Sequence, residues 1–382
     1  MKAITLFSSG GIGDLAIKKH GIDILIANEL LEPRVRLHRH NFPNTEMILG
    51  DIWEKSDEIV EKTVKYLNGE ELDFLFATPT CQGMSKNGKG KLLKGIRDGL
   101  KAKFDERNQL IIPTLIIVKR LRPKIVFFEN VPEMVNTMIE DENKKPSNPI
   151  KYIERELGEE YVGKPEIVQF ADFGIPQRRT RLLTIYSRDK KLIDYFKKYH
   201  SFIPARTHSN QPKGNQRKWR SLREIISKLP KLDGRDKNAA TSQINFHRVP
   251  VLDPKKYVWI SNTPPEKGAF DNQCNNPKCL YKGNTTHGST KDEKGINRAN
   301  GHTPLYCEKC GEIMPRPYTI NKDGSKRIMA GYTSAYKRMS WDLPSPTLTT
   351  NLCYPSSDHK LHPEQNRVLS LYEAFLLHTL DQ

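Results

Sequence analysis

The 382-residue chain carries 62 Lys plus Arg against 45 Asp plus Glu, which gives a formal net charge of +17. This length suits one large domain and a smaller one, and the charge favours a polyanionic partner such as nucleic acid, the alternative being an enzyme that is merely basic. Because no stretch approaches the roughly 18 apolar residues that span a bilayer and residues 1–7 read as a strand, a membrane protein is excluded and a cytoplasmic location is expected.

Strand-like and helix-like patterns alternate through the first 200 residues. The chain begins with a strand over residues 3–7, a glycine-rich turn over 8–13 and a helix from residue 14. Short apolar runs typical of buried strands recur at 23–27, 46–49, 72–77, 125–128 and 182–186, and helical patterns occur at 57–67 and 109–121. This alternation predicts an α/β fold with a doubly wound, Rossmann-like sheet.

The character of the sequence changes beyond about residue 200. Pro, Asn, Lys and Gly become frequent, and residues 262–300 are typical of a loop, so we expect a smaller, irregular second domain. Regular patterning returns at Trp341. Residues 364–380 then predict an amphipathic helix with one apolar face, formed by Val368, Leu371, Phe375 and Leu376.

The glycine-rich turn is a candidate ligand loop. It contains Gly10, Gly11 and Gly13 between a strand and a helix, where backbone amides can approach a ligand closely. Glu29 lies just past the second strand, where an acid commonly binds ribose hydroxyls, and Asp51 lies just past the third, where a carboxylate can accept from an adenine amino group. A plain tight turn and two ordinary surface acids are the alternative.

Two more chemically active residues lie at strand ends. Cys81 follows the fourth strand and Glu129 ends the fifth, so both are expected at the carboxyl edge of the sheet, where catalytic groups gather. Lys86, Lys89 and Lys91 would favour the nucleophilic thiolate of the cysteine, although a lone Cys is often inert packing. Glu129 is placed to donate a proton to a ring nitrogen of a substrate in the same pocket.

Residues 173–182 form a basic segment with an extended pattern. It places Arg179 and Arg181 at alternate positions, so both guanidinium groups are expected to face the same way. They can hold a base carbonyl or neighbouring phosphates, unless they are ordinary solvated charges.

The order of these segments resembles that of one family, the C5-cytosine methyltransferases. The resemblance covers roughly residues 3–186 and 338–380. The segments that carry it are Phe7 to Gly13, Pro79-Thr-Cys-Gln82, Asp105-Glu-Arg-Asn-Gln-Leu110, Glu129-Asn-Val131, Gln177-Arg-Arg-Thr-Arg181, Pro344-Ser-Pro-Thr-Leu-Thr-Thr350 and Arg367-Val-Leu-Ser-Leu-Tyr-Glu-Ala374. The combination is far more specific than any one segment.

The resemblance implies a sequence-specific DNA cytosine-5 methyltransferase that takes its methyl group from S-adenosylmethionine and flips the target base out of double-stranded DNA. Cys81 would add to C6 of the cytosine, Glu129 would bind and protonate N3, and Arg181 with Arg179 would hold the base oxygen. The implied cofactor-binding residues are Phe7, Ser8, Gly10, Gly11, Ile12, Glu29, Leu30, Asp51, Ile52 and Pro79.

The resemblance also implies a domain division. Residues 1–200 and 338–382 would form the catalytic, cofactor-binding domain, and residues 201–337 the target-recognition domain. A zinc-binding insertion is predicted at about 270–315, because two thiol pairs suit tetrahedral zinc; unligated reduced thiols are the alternative. The zinc would be structural. Its ligands would be Cys274, Cys279, Cys307 and Cys310, with His287 and His302 as spare candidates.

A basic and aromatic stretch begins the target-recognition region. Its composition suits DNA contact, and a solvated helix start is the alternative. Its residues are Arg217, Lys218, Trp219, Arg220 and Arg223.

Three features depart from the family pattern. Thr80 stands where a second proline usually precedes the nucleophile, and Ser9 and Ile12 stand where the cofactor loop usually has glycine. The sequence also stops at Asp381-Gln382, before the family's final Gly-Asn segment. Either the sequence is cut short or a second chain supplies that segment.

Two other functions stay open. The tRNA cytosine-5 methyltransferases of the same family resemble the catalytic half but have a compact variable region, so the cysteine-bearing insertion favours DNA. A catalytically inactive DNA-binding homologue is the other alternative, against which the intact set of Cys81, Glu129 and Arg181 argues. An active enzyme is expected in the bacterial or archaeal cytoplasm, associated with nucleoid DNA.

Overall fold

The computed structural model describes residues 1–80, 106–286, 288–291, 297–299, 303–329, 334–357 and 359–380. The chain divides into two compact units. The first comprises Met1–Val168 and Thr180–Ala205, and the second comprises Gln169–Arg179 and Arg206–Gln382. Across the described residues, no helix has both the length and the apolar character that a membrane span requires.

A central sheet organises the first unit. In chain order the strands up to residue 187 are β1 Lys2–Leu6, β2 Asp23–Glu29, β3 Glu46–Leu49, β4 Phe74–Ala77, β5 Ile125–Asn130, β6 Ile139–Glu140, β7 Pro146–Ser147, β8 Val162–Gln169, β9 Gln177–Arg178 and β10 Thr180–Ser187. Seven of them form one sheet in the order β3-β2-β1-β4-β5-β10-β8. The first five in this order are parallel, and β10 is antiparallel to β5. The predicted α/β class with a mostly parallel sheet is confirmed.

Helices follow most of these strands. They are α1 Ile12–Lys19, α2 Glu32–Asn41, α3 Ile52–Leu67, α4 Ile111–Leu121, α5 Pro149–Leu157 and α6 Lys190–Tyr199. Short 3-10 helices span Glu106–Leu110, Pro132–Asn136 and Phe170–Phe173. Side chains of β1, β4 and β5 form the core with α3 and α4, and Ile4, Leu75 and Val126 are completely buried. A buried parallel sheet of this kind fixes the carboxyl ends of its strands along one edge.

The second unit is rich in loops. Its further strands are β11 His208–Ser209, β12 Arg217–Lys218, β13 Ser289–Lys291, β14 Asn297–Ala299, β15 Tyr318–Ile320, β16 Lys326–Ile328 and β17 Ser345–Pro346, and its helices are α7 Leu222–Ile226, α8 Pro254–Ser261 and α9 Leu371–Leu377. A further 3-10 turn spans Ala269–Asp271. One apolar cluster is centred on Trp259, Phe270 and Tyr336. Among the described residues of this unit the strands pair only in twos, and its core consists of small apolar clusters.

The predicted position of the last helix is wrong. The helix expected over residues 364–380 begins only at Leu371. Ser370 caps it by accepting a hydrogen bond from the Glu373 amide at 3.1 Å, and its own amide donates to the Glu373 carboxylate at 2.7 Å. Arg367 binds the same carboxylate with two nitrogens at 2.7 and 2.8 Å. This capping box starts the helix and outweighs the apolar periodicity before it.

The described part of residues 338–382 also groups differently from the sequence-based division. That division joined it to residues 1–200, whereas in the structure it clusters within the second unit. Met339, Leu348 and Leu369 pack there with Leu222 and Ile226 of α7. Apolar contacts with α7 therefore determine where this segment lies.

Candidate active site

The carboxyl edge of the parallel strands collects the residues singled out in the first unit. Because β1 to β5 run in one direction, the segments that follow them meet at this edge. The segment after β1 begins at Phe7, Glu29 ends β2, Asp51 follows β3, Pro79 follows β4, and Glu129 lies near the end of β5.

The loop after β1 has an unusual backbone. Phe7 and Ser9 have φ angles of 60° and 51°, in the left-handed region that side chains other than glycine seldom adopt. Gly11, at φ 87°, has to be glycine, because a Cβ there would lie 2.3 Å from the ring of Phe42. The loop is held to β2, since the Ser8 amide donates to the carbonyl of Asn28 at 3.0 Å. The backbone of the loop after β1 therefore forms a strained turn.

Glu29 is a buried acid at the end of β2. Its side chain is 5% exposed, and its two carboxylate oxygens accept from the amides of Ser9 and Leu31, each at 3.0 Å. Arg34 lies 3.5 Å away. A carboxylate has about four acceptor positions, so Glu29 can hold the loop and still accept from a ligand hydroxyl.

Asp51 caps α3, with one carboxylate oxygen accepting from the Trp53 amide at 3.0 Å. The following Ile52 is 2% exposed and belongs to the core, so its side chain is not available to a ligand. In contrast, Ile12, Leu30 and Trp53 are 61%, 58% and 45% exposed. Leu30 and Trp53 follow the same strand ends as the two acids, and Ile12 begins the helix that follows β1.

Glu129 and Arg181 form an ion pair at this edge. The Nε of Arg181 lies 2.7 Å from Oε1 of Glu129, and their side chains are 15% and 23% exposed. The pairing follows from the sheet register, in which Leu183 of β10 lies opposite Glu129 of β5. Arg181 also donates to the carbonyl of Thr180 at 2.8 Å. The structure therefore brings together an acid and a cation that the sequence separates by 52 positions.

The remaining expected residues of the site do not all lie in the described part of the first unit. Those outside the described residues are Cys81, Lys86, Lys89, Lys91, His287 and His302. Arg179 belongs to the second unit, where its carbonyl accepts from the Phe170 amide at 2.9 Å.

Comparison with known proteins identifies this combination. A family model described as C-5 cytosine-specific DNA methylase matches residues 1–382. The chain belongs to this family. It is therefore a DNA cytosine-5 methyltransferase, and the family implies S-adenosylmethionine as methyl donor and DNA as substrate.

Relatives of this methyltransferase agree with the assignment. It is 30% identical to the Type II methyltransferase M1.HgaI of Avibacterium volantium, over 98% of this chain and 86% of the relative. It is also 30% identical to the Type II methyltransferase M.AquIA of a Picosynechococcus species, over 60% of this chain and 89% of the relative. A solved structure of a prophage-encoded E. coli protein, described as a DNA modification methyltransferase, has a TM-score of 0.52 at 19% identity and covers 99% of this chain and 88% of the other, which shows a shared fold.

The strand-end residues of the methyltransferase fit an adenosine-containing cofactor. The carboxylates of Glu29 and Asp51 could accept hydrogen bonds from ribose hydroxyls and an amino group, and the exposed apolar side chains of Ile12, Leu30 and Trp53 could cover an adenine ring. When bound, the cofactor would supply an electrophilic methyl group at this edge.

Two positioning residues of the methyltransferase were missed by the sequence reasoning. Asn130, 3% exposed, donates through Nδ2 to the carbonyl of Pro79 at 3.2 Å and so ties the turn after β4 to β5. Thr78 donates through its hydroxyl to the carbonyl of Phe7 at 3.1 Å, which links the same turn to the loop after β1. Asn130 is next to Glu129 in the sequence and Thr78 is next to Pro79. Their positions beside predicted site residues were the signal that the sequence offered.

A second group of reactive side chains lies in the second unit. The sulfurs of four cysteines lie within 4.8 Å of one another, with Sγ–Sγ distances of 3.7 Å for Cys274–Cys310 and 3.9 Å for Cys279–Cys307. Tetrahedral zinc with Zn–S bonds of about 2.3 Å needs sulfurs about 3.8 Å apart. Two sulfur–sulfur distances therefore match this spacing, and the predicted cysteine set could hold a metal ion.

Arg316 supports this cysteine cluster and had no signal in the sequence. It is fully buried, and its Nε donates to the carbonyl of Asn272 at 2.7 Å while Nη1 donates to that of Pro304 at 2.8 Å. Asn272 precedes Cys274 by two residues, and Pro304 precedes Cys307 by three. One guanidinium group thus connects the two segments that carry the cysteine pairs.

Proposed function

We propose that this methyltransferase modifies cytosine at C5 in duplex DNA through a covalent intermediate with Cys81. The pairing of Glu129 with Arg181 at 2.7 Å is the observation that most supports the proposal. Cytosine offers a ring nitrogen and a carbonyl oxygen side by side, and an acid beside a guanidinium group matches that edge of the base.

The proposed steps balance in protons and electrons. The reaction uses the protonated form of Glu129, so its carboxylate first takes up a proton from solvent as the base enters the site. The Cys81 thiolate then forms a bond to C6 while Glu129 donates that proton to N3, so the electron pair of the C5–C6 double bond becomes available at C5. The cofactor, when bound, would supply a methyl group to C5, and the electron pair of the broken sulfur–methyl bond would stay on its sulfur. Loss of the C5 proton to a base then breaks the C6–S bond and restores both the double bond and the thiolate, and N3 returns its proton to Glu129.

Arg181 has two roles in this proposal. Before the base arrives it holds the Glu129 carboxyl in place, which preserves the geometry that proton transfer needs. With the base bound, it holds the base oxygen, with Arg179 assigned to the same task by family resemblance. A guanidinium group suits both roles because its donors lie in one rigid plane.

Duplex DNA is the proposed substrate because the second unit contains a basic loop that suits contacts with phosphate groups. Residues 206–220 contain five Lys or Arg residues and no Asp or Glu. Lys213, Arg217 and Lys218 are exposed. The loop is ordered by Trp219, whose Nε1 donates to the buried Asp172 at 2.9 Å. Flipping a base costs on the order of a few kcal/mol, and such phosphate contacts offset that cost.

We assign a structural zinc ion to the cysteine cluster. Its four sulfurs form a closed set with no open position for a substrate, as structural zinc sites do. The biological role that we propose is modification in a restriction–modification system, as the Type II relatives suggest.

Transfer of a tritiated methyl group tests the proposed function. The protein is incubated with labelled S-adenosylmethionine and either plasmid DNA or bulk tRNA, and the nucleosides are separated after digestion. Label in 5-methylcytosine from DNA, lost in Cys81→Ser, is expected. Label in tRNA alone would favour the tRNA methyltransferases, and label in neither nucleic acid would favour an inactive DNA-binding protein.

A further inference from the structure

The loop after β1 is strained at two positions where glycine would relieve the strain. Phe7 and Ser9 have positive φ angles although neither is glycine. Such conformations persist only where the surrounding structure holds them, and they are often found at ligand sites. Side chains around this loop must therefore hold it in this conformation.

A chain of buried polar groups lies beside the loop. The Ser8 hydroxyl lies 2.8 Å from the Thr5 hydroxyl and donates to the Thr5 carbonyl at 3.0 Å. Thr5 donates to Oδ2 of Asp14 at 3.0 Å, and Nε2 of His38 lies 2.7 Å from the same oxygen. Thr5, Asp14 and His38 are each at most 1% exposed. The chain connects the loop to α1 and α2.

The geometry determines the arrangement of protons along this chain. Because the carboxylate of Asp14 only accepts, Nε2 of His38 must carry the proton that it shares with Oδ2. Nδ1 of His38 is buried and has no hydrogen-bond partner among the residues that the structure describes.

The ring of His38 also touches the loop directly. It stacks on Phe42 with ring centroids 4.7 Å apart. A Cβ added to Gly11 would lie 3.0 Å from Cδ2 of His38 and 2.3 Å from Phe42. His38 therefore limits the loop by packing and by its hydrogen bond to Asp14.

We propose that Asp14 and His38 are positioning residues that hold the strained loop in the shape that binds the cofactor. This inference rests on the proposed function, because it takes the loop to be part of the S-adenosylmethionine site. Neither residue need touch the cofactor: loss of the chain lets Phe7 and Ser9 relax out of their left-handed conformations, so the free protein no longer presents the binding shape.

A matched pair of substitutions at His38 tests this inference. His38→Leu fills the space with an apolar side chain of moderate size and removes the donor, whereas the amide nitrogen introduced by His38→Gln can reach about the position of Nε2 and still donate to Asp14. Calorimetry with S-adenosylhomocysteine, run well below the unfolding temperature, is expected to show at least a tenfold higher Kd for His38→Leu and less than a threefold change for His38→Gln. The cofactor KM should rise in the same order, with kcat at saturating cofactor within about twofold of wild type.

The outcomes distinguish positioning from mere stability. If His38→Leu only unfolds part of the protein, the fraction of binding sites falls while the Kd of the remaining sites stays at the wild-type value, and that result overturns the inference. Equal weakening by both substitutions overturns it as well. Wild-type protein that transfers methyl groups, together with an unchanged Kd in His38→Leu, refutes the positioning role alone. Wild-type protein that neither binds nor transfers refutes the proposed function itself.

Discussion

Arg181 reaches from β10 across to β5, where its Nε lies 2.7 Å from a carboxylate oxygen of Glu129. Two antiparallel neighbours in the sheet thus carry the acid and the cation of the proposed reaction. Because both are mounted on strands and not on loops, their relative position is fixed before a substrate arrives.

Replacing Glu129 with Gln tests its role as proton donor. The amide keeps the size and the contact with Arg181 in part but cannot transfer a proton, so kcat should fall by about 10²- to 10⁴-fold. Affinity for S-adenosylhomocysteine should change little. Arg120→Lys, on an exposed ion pair with Asp57 away from the carboxyl edge, is the control and should keep wild-type kcat. Wild-type kcat in Glu129→Gln would remove this residue from the mechanism.

Zinc content and stability should depend on the cysteine cluster and not on thiols in general. Metal analysis is expected to find about one zinc per chain in the wild type and in Cys353→Ser, whose cysteine is exposed and outside the cluster. Cys274→Ser should lose most of the metal. Loss of about 2 kcal/mol of stability would lower Tm by about 4–8 °C. Chelator-treated wild type that contains no zinc and keeps its Tm would contradict the assignment.

The salt dependence of DNA binding should report on the loop over residues 206–220. Arg217 and Lys218 are exposed. If each neutralises one phosphate, replacing each with Ser should reduce the slope of log K against log salt by about 0.9. Lys65→Ser, in the last turn of α3 and far along the helix from the carboxyl edge, should leave the slope unchanged. Unchanged slopes in all three variants would place the DNA elsewhere.

Acid should weaken the second unit through His362. Burial, followed by the charges of Arg367 and Arg338, lowers the pKa of His362 from 6.5 to about 2. Its Nδ1 accepts from the Gln365 amide at 2.9 Å, so the folded state holds the neutral ring. Below pH 6.5 the unfolded chain binds a proton at His362, whereas the folded protein does not until the pH is near 2. The contribution of the neutral ring to the free energy of unfolding is therefore complete above pH 6.5 and is lost progressively as the pH falls toward 2.

Urea unfolding of wild type and His362→Asn measures this effect. The Asn oxygen can replace the Nδ1 acceptor but does not titrate. The difference in unfolding free energy should be constant above pH 6.5 and should shift against the wild type by about 1.4 kcal/mol per pH unit below pH 6. A difference that is independent of pH would contradict a neutral, buried His362.

The sequence could predict the strand-end residues because their position depends only on local pattern. Alternating strands and helices predict a parallel sheet, and a parallel sheet places Glu29, Asp51 and Glu129 along one edge. The contact between Asp14 and His38 could not be predicted, since it joins two helices 24 residues apart and depends on how they pack.

Strand β8 and the start of helix α9 were not predicted correctly, for different physical reasons. Strand β8 contains Gly163 and Pro165, which weaken a strand pattern but are tolerated at the edge of a sheet, where β8 lies. The start of α9 was predicted from periodicity alone, although Ser370 and Glu373 form a capping box that could have been read from the sequence.

Covalent trapping tests the central claim most directly. Duplex DNA of plasmid length is synthesised with 5-fluorocytosine in place of cytosine and incubated with the protein and S-adenosylmethionine. After methyl transfer the fluorine cannot leave as a proton does, so the bond between Cys81 and C6 should persist. Peptide mass spectrometry is expected to find methylated fluorocytosine on Cys81 and no adduct in Cys81→Ser. An active wild-type enzyme that forms no adduct, or one on another residue, would contradict the account.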